Sequence, residues 1–354
     1  MNWESNADAA SVAAKLKRAN SAYVLTHAKP DGDAAGSALA LTRTLDTIGV
    51  KPELCFVAPL PAWLEQLAAD TPHRLFAPMK PLEPADGRAP LAGERDAIAI
   101  VDTGSWQQLA EMKPLLVSHS ATTIIIDHHA HGDPEIAATR LIQTSAASCT
   151  EVLAPVCCAL LGLRSAAALP LDIASPLYLG LATDTGWFRY SSVTPTTLRL
   201  AADLREAGVV HTDLYQMIEQ QDNISRWKLL GRALSSVQTH DLGKPWGKLS
   251  VMTLTLRDFD ECGADRNDTG GFADMVLAVA DIGTSAVLTE ADVAPGEPPL
   301  TKISLRSKPT PNPLDVGTLT KHLGGGGHFH AAGAKVRVNL AQATSRLLEA
   351  ARAL

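Results

Sequence analysis

The stretch Thr122-Thr123-Ile124-Ile125-Ile126-Asp127-His128-His129 narrows the choice of fold more than any other in the chain. Five β-branched residues in succession favour extended backbone and leave no polar face, the pattern of a strand covered on both sides in a parallel sheet. The run stops on a carboxylate and two imidazoles, and His131-Gly132-Asp133-Pro134 turns the chain away. Open α/β sheets bind ligands outside the carboxyl ends of their strands, so these polar side chains are placed to meet one. Burying charge is costly unless it is paired or coordinates a metal. Taken alone, the stretch leaves two readings open: a hydrogen-bonded Asp–His pair that ends a strand, or part of a metal site.

The pattern recurs. Ala22–Thr26 predicts a first strand that runs into His27-Ala28-Lys29-Pro30-Asp31-Gly32-Asp33-Ala34-Ala35-Gly36-Ser37. Pro30 and Gly32 mark a loop; Leu41, Leu45 and Ile48 then recur at helical spacing, and Gly49 closes the helix. His27, Asp31 and Asp33 are thus expected on a strand-to-helix loop, where two carboxylates one residue apart repel unless a cation lies between them. Val50–Val57 reads as a second strand. A Pro-rich excursion from Pro59 to Pro90 reads as irregular surface with a weak element or two. Asp96–Val101 predicts another buried strand, ending on Asp102-Thr103-Gly104. Ser148-Cys149-Thr150-Glu151 has the form of a capping box at the start of a helix that carries Cys157 and Cys158. Leu171–Ala182 is helical in pattern and leads to Asp184, and Thr194-Pro195 opens a helix ending near Gly208. As structure, these acids and imidazoles each need a separate explanation, whereas one shared metal centre accounts for them together.

From His211 to Gln238 the chain is polar and helical, with Gln220-Gln221-Asp222-Asn223 in its middle, and reads as a connector between domains. The expected division is 1–209, a connector over 210–240, and 241–354. In the last part, Trp246–Thr255 and Thr284–Glu290 alternate like strands around a helix at Gly270–Val279, and Leu300–Ser307 is a further strand. Val316–Leu323 is helical and runs into Gly324-Gly325-Gly326-Gly327-His328, ahead of a final strand over Ala334–Val338. Successive glycines let backbone approach a ligand and can present several N–H groups to an anion. A flexible linker usually carries serine and leads out of a domain, which this run does not. The chain has neither GxxxxGK nor GxGxxG, which disfavours an ordinary nucleoside-triphosphate machine.

Composition sets the outer limits. A chain of 354 residues favours two domains, and 46% hydrophobic with 19% charged residues is globular. A net charge of −7 argues against binding long duplex nucleic acid, while leaving room for a small anionic ligand held by local Arg, Lys and metal ions. Five cysteines without a CxxC pair disfavour a zinc cluster or a disulfide framework and fit a reducing cytoplasm. The first residues lack the pattern of a signal peptide, and no stretch has the length and apolarity of a membrane span.

In order and spacing, His27-x-x-x-Asp31-x-Asp33, Asp102, Asp127-His128-His129 and Asp184 resemble the four motifs of the DHH phosphoesterase superfamily. Arg306-Ser307 and Gly324-Gly325-Gly326-Gly327-His328 resemble its DHH-associated C-terminal domain. The layout looks like the branch of nanoRNases and phosphoadenosine-phosphate phosphatases. The resemblance implies an α/β fold of two domains, an N-terminal parallel sheet and a smaller C-terminal α/β domain, with the active site in the cleft between them. It implies two divalent ions, most often manganese. His27, Asp31 and Asp102 would hold one, and Asp33, Asp102, His128 and Asp184 the other. Asp127 would orient His128, and His129 would face the scissile phosphate. Arg306, Ser307, Gly325, Gly326, Gly327 and His328 would hold a further phosphate or the terminal nucleotide.

The implied activity is a phosphodiesterase that degrades very short oligonucleotides to mononucleotides, and that also acts on 3′-phosphoadenosine 5′-phosphate. Hydrolysis of cyclic diadenylate or its linear product is the near alternative. Inorganic pyrophosphatase and a non-catalytic nucleotide-binding protein are more distant ones. Short oligonucleotides or nucleotide phosphates are the partners expected, with a homodimer compatible with the layout.

Overall fold

The computed structural model describes residues 2–85, 87, 95–243 and 246–354, so Pro90 of the Pro-rich excursion lies outside the described residues. The chain divides into two compact units, Met1–Gln220 and Gln221–Leu354.

The first unit contains α1 (Ala9–Lys17), β1 (Ser21–Leu25), α2 (Gly32–Thr47), β2 (Lys51–Val57), α3 (Ala62–Leu67), β3 (His73–Phe76) and β4 (Ala97–Val101). It continues through α4 (Lys113–Ser118), β5 (Thr123–Asp127), β6 (Thr139–Ile142), α5 (Cys149–Leu161), α6 (Leu171–Asp184), α7 (Pro195–Glu206) and α8 (His211–Glu219). Its six strands pair in parallel in the order β3-β2-β1-β4-β5-β6. Strand order therefore reverses between β1 and β4, the crevice where such sheets bind ligands. Side chains alternate between two cores, as the period of a strand requires. Val24, Ala99, Ile124 and Ile126 pack on the side of the long helices, and Leu25, Ile98, Ile100 and Ile125 on the other. All five residues of β5 are buried, as expected of the β-branched run.

Three details depart from expectation. Asp33 is not in a loop: Asp31 caps α2, its Oδ1 accepting the N–H groups of Asp33 and Ala34 at 3.1 Å each, so the helix begins at Gly32. Ser148 accepts the Glu151 N–H, but the Glu151 carboxylate turns to the Ala147 N–H and the Thr197 hydroxyl, so only half of a capping box forms. Helix α6 continues past Ala182 and carries Asp184 on its last turn.

The second unit comprises α9 (Ile224–Ser235), β7 (Gln238–Asp241), β8 (Lys248–Leu254), α10 (Leu256–Cys262), α11 (Phe272–Val276), β9 (Ile282–Ala291) and β10 (Leu300–Ser307). It ends with α12 (Val316–Lys321), β11 (Gly326–Gly327), β12 (Ala331–Val336) and α13 (Leu340–Ala353). Its sheet is mixed, in the order β11-β12-β10-β9-β8-β7, with β8 and β9 parallel and the other neighbours antiparallel. The polar stretch from His211 to Gln238 forms two helices, α8 and α9, and the division into units falls between them.

Candidate metal centre

Five elements of the first unit bring acids and imidazoles together. His27 follows β1, Asp31 and Asp33 open α2, and Asp102 follows β4. Asp127 ends β5 and His128 and His129 follow it, while Asp184 ends α6. Close packing of α2, α5 and α6 permits the last of these. A Cβ on Gly180 would lie 2.7 Å from Asp33 Oδ1 and 2.4 Å from Thr150 Cγ2, so only glycine lets α6 come this near.

His27 Nε2 lies 4.0 Å from Asp31 Oδ1 and 3.8 Å from Asp102 Oδ2. His128 Nε2 lies 3.5 Å from both Asp102 Oδ1 and Asp184 Oδ2, and 3.8 Å from Asp33 Oδ2. These separations exceed good hydrogen bonds, but donors ~2.1 Å from one cation stand about 3 to 4 Å apart. Three groupings have all their donor atoms within 4.8 Å of one another: His27, Asp31 and Asp102; Asp33, His128 and Asp184; and Asp102, His128 and His129. Asp102 belongs to two of them.

The residues fit a divalent cation. Asp102 is 2% exposed, and its Oδ1, like Asp127 Oδ2, is a buried oxygen with no hydrogen-bond donor among the described residues. Such an atom costs free energy unless a partner is supplied. Asp102 also holds a left-handed backbone (φ 62°), a conformation that non-glycine residues adopt at a cost and that clusters at functional sites. Without a cation the acids oppose one another. Burial, reinforced by Asp33, Asp31, Asp127 and Asp184, holds the Asp102 carboxyl well above its usual range. Burial, with Asp33 and Asp31 adding, pushes Asp184 up to about 7. Asp33 is also raised by burial, although His128 and the N–H groups of Cys149 and Thr150 at the start of α5 oppose the shift. Burial lowers the His27 imidazole, which favours the neutral form that can act as a ligand. Carboxylates and imidazoles suit Mn²⁺ or a similar hard to borderline ion.

One expected contact is different. Asp127 does not orient the His128 ring. Its Oδ1 accepts the His129 Nδ1–H at 2.7 Å, and the backbone N–H groups of His128 and His129 at 2.7 and 3.2 Å. Asp127 is the last residue of β5, and its carboxylate closes an Asx-type turn over the two residues that follow, which brings the His129 ring onto the same oxygen. The bond to Asp127 outweighs burial and raises the His129 pKa. His128 Nδ1 instead faces the Ala146 carbonyl at 3.4 Å.

Trp3 belongs to this site and carries no motif that would single it out. Its indole N–H donates to the His129 carbonyl at 2.9 Å. Its ring lies between two glycines: a Cβ on Gly104 would fall 1.8 Å from it, and one on Gly132 2.5 Å. The indole thus braces the turn after Asp102 against the turn after His129.

In the second unit, the pleat of β10 separates Arg306 from Ser307. Arg306 opens on a cleft of about 230 Å³ with Lys302, Ser304 and Arg266, and its Nε lies 3.5 Å from Asp274 Oδ2. Ser307 is buried and pairs with His330 Nδ1 at 2.9 Å. No motif in the sequence marks His330. His328 is exposed. Gly326 and Gly327 form β11 against β12, and a Cβ on Gly325 would meet the Gly333 carbonyl oxygen at 2.2 Å. Two of these glycines are therefore required by the chain's own hairpin, since Gly327 (φ 148°) would likewise meet Ala332 Cα at 2.5 Å.

The chain is a member of the DHH family of phosphoester hydrolases: the family's N-terminal domain matches residues 21–181 and the DHHA1 domain residues 248–354. It is similar to the bifunctional oligoribonuclease and PAP phosphatase NrnA of Thermus thermophilus, 29% identical over 93% of this chain and 89% of that protein. The Bacillus subtilis protein of the same name is 24% identical over 88% of this chain and 87% of its own length. An exopolyphosphatase-related protein from Bacteroides fragilis shares the fold, with a TM-score of 0.79 at 21% identity, covering 98% of this chain and 95% of that one. Among the described residues, no helix is long and apolar enough to cross a membrane.

Proposed function

We propose that the protein is a phosphodiesterase that uses two divalent ions, manganese by preference, to release mononucleotides from very short oligonucleotides. The observation that carries this reading is the buried, donor-less Asp102 Oδ1 at the meeting point of two acid–imidazole groupings. His27, Asp31 and Asp102 would hold one ion, and Asp33, Asp102, His128 and Asp184 the other. Bound there, such ions supply Lewis-acid polarisation of a phosphoryl oxygen and an acidified water. His129, its Nδ1 tied to Asp127, keeps Nε2 free to meet the phosphate, and its raised pKa suits it to donate a proton to the leaving oxygen. Arg306, Ser307, Gly325, Gly326, Gly327 and His328 are the proposed holders of a second phosphate or the terminal nucleotide, Arg306 through paired N–H donors.

Cleavage of 3′-phosphate from 3′-phosphoadenosine 5′-phosphate is a second activity of the same site, favoured by the names of both relatives. Incubation with Mn²⁺ and a panel of labelled dinucleotide, longer RNA, phosphoadenosine phosphate and cyclic diadenylate separates these substrates. Dinucleotide is expected to turn over faster than longer RNA. Absence of mononucleotide while metal is bound would refute the reading, and preferential turnover of cyclic diadenylate would redirect it.

A further inference from the structure

Beside the acid cluster, and sharing Asp31 with it, the first unit has a cleft of about 350 Å³ whose walls include Trp63, Trp187 and Tyr190. The volume falls in the range of small-ligand sites, about 300–1,000 Å³. Aromatic residues are only 5% of the chain, so three around one cleft is a concentration that the acid–imidazole chemistry does not use.

The backbone is arranged to present one of them. After Asp184, three successive residues are left-handed: Gly186 (φ 56°), Trp187 (φ 57°) and Phe188 (φ 65°). An ordinary helix ending needs one such residue, usually glycine. The turn is held by the Trp187 N–H on the Ala182 carbonyl (2.6 Å) and the Phe188 N–H on the Thr185 hydroxyl (3.1 Å). The Arg189 and Tyr190 N–H groups both reach the Thr185 carbonyl. The Trp187 indole is itself fixed, its N–H donating to Glu219 Oε1 at 2.9 Å and its ring meeting Tyr215 edge-on at 4.8 Å. Tyr190 lies over Gly186, where a Cβ would come within 2.5 Å of the ring, yet it remains 56% exposed. Arg189 adds a cation to the same wall. The result is a Trp187 ring held in place, with little freedom left to lose on binding, in a cleft that Asp31 also lines.

We propose that this cleft is a nucleobase-stacking subsite: the base of a nucleotide whose phosphate lies at the acid cluster stacks on Trp187, beside Trp63 and Tyr190. The proposal rests on the reading of the cluster as a phosphodiester-cleaving centre acting on oligonucleotides. Every base has a π face, so stacking selects a base over no base and discriminates weakly among the four.

Calorimetry with the full chain and divalent metal tests the subsite apart from turnover. Adenosine 5′-monophosphate should bind about tenfold more tightly than ribose 5-phosphate, the order expected for one stacked base. Trp187→Ala and, independently, Trp63→Ala should shrink that ratio toward one by weakening only the nucleotide, and Trp187→Phe should keep most of it. An unchanged ratio in a folded Trp187→Ala or Trp63→Ala protein would overturn the subsite, as would a wild type that binds the two ligands equally. A wild type that shows the ratio but releases no mononucleotide from dinucleotide would leave the subsite standing and refute the assigned reaction.

Discussion

In Met1–Gln220 the polar residues of interest stand at the ends of β1, β4 and β5, whereas in Gln221–Leu354 they lie along β10 and around the β11–β12 hairpin. A parallel sheet puts all its carboxyl ends at one edge, so His27, Asp102 and Asp127, far apart in sequence, meet without special loops. The mixed sheet has no such common edge. There, alternate residues of β10 are sent to opposite faces, Lys302, Ser304 and Arg306 to one and Ser307 to the other. The first arrangement concentrates negative charge that a cation would offset. The second spreads its cations over a surface where Arg266 meets Asp260 and Asp292 and Arg306 meets Asp274, with glycines that serve the hairpin.

The sharpest break of this contrast is Asp102→Ala. Loss of groups that merely orient ligands costs about 10–100-fold, so removing a shared ligand should lower turnover by more than about 100-fold and reduce metal stoichiometry. Near-normal rates would show that the acids do not act as one centre. In the second unit, Gly327→Ala forces a Cβ against Ala332 at an unfavourable φ and should destabilise it by about 1–3 kcal/mol in a denaturant melt. Gly104→Ala sharpens the first side. The new methyl collides with the Trp3 ring, lowering stability and metal affinity together, while Trp3→Ala in the same protein should recover part of both.

Metal removal exposes the charge difference directly. The unfolded carboxyls titrate near 3.8, and in the folded, metal-stripped protein burial and mutual repulsion keep Asp33 and Asp102 raised and Asp184 at about 7. Between those values the folded state binds more protons, so its stability should fall as pH rises from about 4 to 7. Thermal melts at several pH values check this, and saturating Mn²⁺ should remove the slope. The smallest effect is expected at Gly326, where a Cβ meets nothing within 4 Å: Gly326→Ala should change stability by less than about 0.5 kcal/mol. A clear loss of nucleotide affinity in that variant would show that the hairpin also serves a ligand.

Much of the first unit is legible because buried parallel strands read as unbroken β-branched or apolar runs, and an acid directly after such a run is conspicuous. That exposes Asp102, Asp127 and His128. It fails for β6, where Arg140 interrupts the run; that side chain is buried and tied to the carbonyls of Pro134 and Ala137. That an imidazole beside Asp127 would pair with it was legible; which of the two does so was not, because β5 ends at Asp127 and the turn beyond it decides. Trp3 was not, because its role depends on two glycines more than 100 residues away that meet only in the fold. In the second unit, α10 directly follows the alternating run that ends at Thr255, and its signal is the capping box of Thr255 and Asp258. Alternation within β10 is visible, but a period of two does not say which face would meet a ligand.

Hydrolysis of a labelled dinucleotide by protein stripped with chelator, before and after addition of Mn²⁺, tests the central claim most directly. The stripped protein should be silent, and Mn²⁺ should restore release of mononucleotide. Full activity in the stripped protein, or none in the metal-loaded one, would contradict a metal-dependent phosphodiesterase built on Asp102.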